Sequence, residues 1–132
     1  MSAEDHVEMF RMAEALLADR RPLEALRALA GVLEAEPDKP SVQLLAGRAY
    51  FHSAQLNRAE AAFRRVLDLD PADHYARFVL GRTLQRLGRL AEAQTQLRMA
   101  TAMDPRPEYQ EALGEVRARL ALGNDSGGRA AN

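Results

Sequence analysis

Three acid–proline pairs, Glu36-Pro37, Asp70-Pro71 and Asp104-Pro105, recur at one interval of 34 residues, and no other feature constrains the chain so tightly. Around each proline the same pattern returns. An alanine stands twelve residues before it (Ala25, Ala59, Ala93) and a large apolar residue eight before it (Leu29, Phe63, Leu97). A small residue stands 24 before it (Ala13, Gly47, Gly81), with Leu16, Tyr50 or Leu84 at 21. A fixed period of this length marks a stacked-repeat architecture, in which each unit buries its apolar face only against its neighbours. The small residues belong where two helices approach closely, and Leu29, Phe63 and Leu97 fill the space between layers.

Apolar spacing and punctuation place the helices. The first is expected from about Asp5 to Ala18, with Asp5 as N-cap and Glu8 completing a capping-box-like pair. Arg20-Arg21 make a turn, and Pro22 opens the second helix, where its missing N–H costs nothing. Further helices are expected from Pro40 or Ser41 to about Ser53, Leu56 to Leu69, Ala72 to Leu87 (stopped by Gly88) and Leu90 to Met103. A seventh, about Glu108 to Leu122, carries Tyr109, Leu113, Val116 and Leu120 as one narrow apolar stripe. A half-polar helix of this kind suits the end of a stack, where one face must meet water. The composition at residues 124–132, rich in Gly, Asn, Asp and Ser, predicts a disordered tail.

The pattern resembles the tetratricopeptide repeat, a helix–turn–helix unit of this length, over about residues 6 to 107. The signature tryptophan is absent, with Met9, Gln43 and Arg77 in its place, and its leucine is replaced in two repeats by Met12 and Ala46, against Leu80 in the third. The resemblance implies an all-α fold: a right-handed superhelical solenoid of three antiparallel helix pairs with a seventh, capping helix. The repeats would span 6–39, 40–73 and 74–107, the capping helix 108–122, and the domain 1–123.

Composition bounds what such a chain can do. It has no cysteine, so disulfides and thiolate metal sites are excluded. A formal net charge of −1 argues against a general nucleic-acid binder, which needs a basic face. The N-terminal stretch holds Glu4 and Asp5 and no long apolar run, so neither a signal peptide nor a membrane span is expected, and cytoplasmic is the default location. Lys39 is the sole lysine, so nearly all positive charge is guanidinium. His6, His52 and His74 lie far apart and lack the spacing of a metal site. No HExxH, GxSxG, Walker-type loop or GxGxxG occurs. Neither a catalytic residue nor a cofactor is expected. Arg58, Glu60, Arg64, Arg65 and Asp68 read as a solvated outer helix surface.

Resemblance to the family places the first helix of each pair on the concave side. The implied groove positions are Val7, Phe10, Arg11, Glu14, Leu17 and Ala18 in repeat one, and Ser41, Leu44, Leu45, Arg48, Phe51 and His52 in repeat two. Repeat three supplies Tyr75, Phe78, Val79, Arg82, Gln85 and Arg86. Of seven aromatics in the chain, four fall on this face (Phe10, Phe51, Tyr75, Phe78). Aromatic side chains on a concave wall suit a partner's anchor residues. Arg48 and Arg82 are one repeat apart, and Arg86 lies four residues beyond Arg82. Two readings follow: the arginines pair internally, Glu14 with Arg48 among them, or they receive an acidic group of a bound peptide. The family's carboxylate clamp for chaperone C-termini is absent, because Phe10, Glu14, Leu45, Tyr75 and Val79 occupy its positions. A three-repeat array with an apolar groove is also similar, in architecture, to the small chaperones of type III secretion. The chain is therefore expected to be a non-enzymatic interaction module for a protein or peptide partner. The alternative is self-assembly into a homo-oligomer through the groove or the first helix.

Overall fold

A computed structural model describes residues 2–131, of which 124–131 as helix backbone alone. The tail expected at 124–132 thus lies outside the residues described in full. Seven helices follow one another: α1 (Ala3–Ala18), α2 (Pro22–Ala35), α3 (Pro40–His52), α4 (Leu56–Leu69), α5 (His74–Arg86), α6 (Leu90–Met103) and α7 (Pro107–Ala131). No strand occurs among the described residues. Each helix packs on the next in the chain, so α1–α2, α3–α4 and α5–α6 form three hairpins laid side by side. In addition α1 touches α3, α3 touches α5 and α5 touches α7, whereas α2, α4 and α6 make no such mutual contacts. Odd-numbered helices that converge while even-numbered ones splay give a curved stack with the odd-numbered helices inside. That curvature makes the groove.

Close packing explains the periodic small residues. Ala13, Ala25, Ala59 and Ala93 are at most 1 % exposed, as are Leu29, Phe63 and Leu97. A Cβ added to Gly81 would stand 2.7 Å from Leu97 Cγ, and one added to Gly47 would run into the Phe63 ring. The helices of a pair can touch there only without a side chain.

The first helix begins earlier than expected. Ser2, not Asp5, is the N-cap: its hydroxyl accepts from the Asp5 N–H while the Asp5 carboxylate accepts from the Ser2 N–H. Asp5 is the far end of the capping box, so α1 gains two residues over the expected start. α5 instead starts two residues later than expected, at His74, because Asp73 accepts from the Ala76 N–H and fixes the cap there. The missing tryptophan is replaced by a different bond. Gln43 donates to the Pro37 carbonyl at 2.7 Å, and Arg77, one repeat on, to the Pro71 carbonyl at 3.1 Å. A polar side chain at this position thus ties each inter-repeat turn to the helix after it.

The turns inside the three hairpins share one backbone conformation. Arg20 (φ 61°), Ala54 (φ 60°) and Gly88 (φ 78°), at equivalent repeat positions, are all left-handed. Only glycine adopts that region without steric cost, about 1–2 kcal/mol for other residues, against about 0.5–1 kcal/mol for its extra unfolded-state freedom. Ala54→Gly is therefore expected to raise stability by about 0.5–1 kcal/mol in denaturant titration. A loss of stability would contradict the strain.

The outer surface does more than meet water. Glu60 accepts from Arg64 at 2.9 Å and from Arg89 of the next repeat at 2.6 Å, and Arg89 also pairs with Glu92. Arg65 pairs with Asp38 across the other repeat junction. Burial alone would raise the Glu60 carboxyl pKa, but hydrogen bonds from Arg89 and Arg64, and their charge, hold it below the usual range. A depressed folded pKa adds stability that is present above the unfolded carboxylate value, about 4.3, and lost as pH falls through the folded one. Glu60→Gln is expected to lower Tm at pH 7, with the gap to wild type closing as pH falls from about 5 towards 3. A gap that stays constant over that range would contradict the linkage.

Candidate functional site

Two hollows border the odd-numbered helices. The larger encloses about 430 Å³. It is lined by Arg48, Phe51 and His52 of α3, Tyr75, Phe78, Val79 and Arg82 of α5, and Glu108, Glu111, Ala112 and Glu115 of α7, with Phe63 at its floor. The smaller, about 200 Å³, lies between the start of α1 and α3 and takes Val7, Phe10 and Ser41. Seven of the groove residues expected from the sequence thus meet in one hollow. Phe10 belongs to the other, and Arg11 is exposed outside both.

Leu45 is a correction. At 3 % exposure it sits in the core cluster with Ala13, Leu17 and Leu29, because its position on α3 turns towards α1 and away from the groove. Leu44 is half-buried against the other core cluster.

The arginines differ in what holds them. Arg82 pairs with Glu115 of α7 at 3.6 Å, and Gln85 donates to the same carboxylate at 3.3 Å. Arg86 lies over the Phe51 ring, 4.8 Å from its centroid, and donates to the Phe51 carbonyl at 3.1 Å. It acts as a strut between α5 and α3. Glu14 does not reach Arg48, which has no ion-pair partner among the described residues. Partial burial, then the charges of Arg48 and Arg86, lower the His52 pKa below the usual histidine value.

The α7 wall is the part of the site that sequence reasoning missed. The dipeptide Leu113-Gly114 repeats Leu80-Gly81 at an interval of 33, one residue short of the period. The shortening lies in the turn: α5 begins four residues after Asp70, α7 three after Asp104. With that shift, Tyr109, Leu113 and Val116 occupy the positions of Ala76, Leu80 and Thr83, and all six are buried. Glu108, Glu111 and Glu115 then fall where α5 has Tyr75, Phe78 and Arg82, on the groove face. The 33-residue interval was the available signal.

Tyr109 anchors this wall. It is fully buried, its ring stacks on Phe78 at 4.5 Å, and its hydroxyl lies 2.8 Å from His74 Nδ1. His74 Nε2 lies 3.3 Å from an Asp104 carboxylate oxygen, so the ring sits between that carboxylate and the Tyr109 hydroxyl. A hydrogen bond from Arg106, then its charge and that of His74, hold Asp104 below the usual carboxylate range despite some burial. His6 has a similar place in repeat one, 3.8 Å from Glu36. Among the described residues no group of three or more His, Cys, Asp or Glu could hold a metal ion.

A curved stack of helical hairpins with a lined inner groove defines a repeat solenoid. The chain belongs to the tetratricopeptide repeat family, whose model matches residues 16–65 and 54–116. Folds of this family typically mediate protein–protein interaction and are generally non-enzymatic. Several solved structures are similar in fold. The Sgt2 tetratricopeptide domain of Aspergillus fumigatus aligns at TM-score 0.85 and 16 % identity, over 94 % of this chain and 83 % of that one. The first such domain of Spaghetti (RPAP3), solved with an HSP90 peptide, aligns at 0.84 and 18 %, over 92 % and 97 %. SycD, a type III secretion translocator chaperone of Yersinia enterocolitica, aligns at 0.76 and 18 %, over 92 % and 85 %. No curated protein sequence matches the chain. No helix among the described residues is long and apolar enough to cross a membrane.

Proposed function

We propose that the chain is a non-enzymatic adaptor or chaperone-like scaffold that seats a segment of a partner protein in the larger hollow of its groove. One observation carries this reading: a space of about 430 Å³ on the inner face, walled by the half-buried rings of Phe51, Tyr75 and Phe78. Such rings give large contact area at little entropic cost. Phe51 and Phe78 are braced by Arg86 and Tyr109 respectively, and Tyr75 tilts against Phe78 at 6.3 Å, with Arg48 beside them on the lining without an ion-pair partner among the described residues. An acidic chaperone tail of the kind bound by the RPAP3 relative is a poor fit here. The clamp residues are replaced, and Glu108 and Glu111 would repel it.

The test is affinity capture from the native organism's lysate with wild type beside Tyr75→Ala/Arg48→Glu, after thermal melts confirm that the variant folds. A protein retained by wild type and reduced at least tenfold on the variant is the expected result. Identical captured sets would overturn the groove reading.

A second reading has its own observation. Met12 is 50 % exposed, while its counterparts Ala46 and Leu80 are fully buried against the preceding repeat. That end of the stack could meet another copy of the chain. Sedimentation at micromolar and submicromolar concentration decides it: a concentration-independent monomer removes this reading.

A further inference from the structure

Resting on the groove reading above, we infer that the site takes a segment of mixed charge with a fixed direction. An apolar side chain enters the hollow, an acidic residue on one side meets Arg48, and a basic residue on the other meets Glu111. The charges of the lining are sorted by helix. Arg48 comes from α3, while the carboxylates of Glu108, Glu111 and Glu115 all come from α7. Between them Arg82 and Glu115 neutralise each other at 3.6 Å. What remains is one guanidinium on the α3 wall and two carboxylates on the α7 wall, none with an ion-pair partner among the described residues.

Glu108 stands in the first turn of α7, where the helix dipole favours a carboxylate with or without a ligand. Glu111 lies one turn further, where that benefit fades, and it shares the lining with Ala112 and Phe78. Arg48 has a matching position on the opposite side, beside His52 on the same lining. A ligand with both charges satisfies both walls. A purely acidic ligand meets repulsion from α7, and a purely basic one from Arg48. The one-residue shortening before α7 creates this polarity, because it turns the three glutamates into the positions that α5 fills with Tyr75, Phe78 and Arg82.

A phage-displayed library of random peptides, selected on wild type, Glu111→Lys and Arg48→Glu, tests the inference. Both positions are on the lining without internal ion pairs, so the variants are expected to fold, and thermal melts check it. Wild type should select an apolar residue flanked by Lys or Arg on one side and Asp or Glu on the other. The selected peptide should lose about tenfold affinity or more on Glu111→Lys when its basic residue is present, and nothing when that residue is alanine. Arg48→Glu should do the same through the acidic residue, and both losses should shrink at high salt. A wild-type consensus without a basic residue, or one unchanged by Glu111→Lys, overturns the inference. The groove reading survives that result as long as Tyr75→Ala still weakens the selected peptides. Peptides indifferent to Tyr75→Ala, or a library that yields no binder, overturn both.

Discussion

Phe63→Ala is expected to cost about 3–5 kcal/mol, the range for emptying a fully buried aromatic site. The ring has no exposed surface, touches α3 at Gly47 and lies beneath the groove hollow. Collapse around the vacancy is hindered on one side, since Gly47 has no side chain to move inward. The same contact gives a converse expectation: Gly47→Ala alone is overpacked and costs about 1–3 kcal/mol. Combined with Phe63→Leu it should cost less than the two single changes summed, because the smaller side chain admits the methyl group. Urea titration of the single and double variants reads this directly. A loss below about 1 kcal/mol for Phe63→Ala would show that the ring is not the spacer between these helices.

Tyr109→Ala has the second largest expected effect, again about 3–5 kcal/mol, with a consequence beyond stability. Tyr109 joins α7 to the stack through its contact with Phe78 and its bond to His74. Its loss is expected to loosen α7 selectively, so that amides of residues 107–123 exchange faster than those of α1 to α4. Tyr109→Phe keeps the stacking and removes only the hydrogen bond, at about 1 kcal/mol. If Tyr109→Ala unfolds the chain uniformly, α7 is an integral part of the core and not a docked cap.

These two residues also mark what the sequence could and could not reveal. Phe63 was legible as a spacer because it recurs with Leu29 and Leu97 at one place in the period, opposite a residue of small volume. The helix order was legible for the same reason: proline, alanine and glycine at fixed intervals leave few ways to stack. Tyr109 was legible only as part of an apolar stripe. Its partners His74 and Phe78 are more than 30 residues away, and the link depends on how the last turn is cut short. Half of the groove could be read from the family resemblance, whose implied concave positions, carried along in steps of 34, include Phe51, Tyr75, Phe78 and Arg82. The glutamate wall could not, since the count slips by one residue before α7. Leu45 failed for a local reason: a side chain at the edge of a helix face turns inward or outward by a few tens of degrees, and periodicity does not resolve that. The pairing of Arg82 with Glu115, and the absence of one for Arg48, are spatial outcomes with no signature in spacing.

The central claim is that a partner is held on the concave side, and photo-crosslinking in the native cell tests it most directly. A benzoylphenylalanine at position 75, in place of the groove residue Tyr75, is compared with one in place of Arg98, exposed on the outer helix α6. The expected result is a covalent adduct of one defined partner from position 75 and none from position 98. An adduct formed from position 98 alone would contradict the account and move recognition to the outer face.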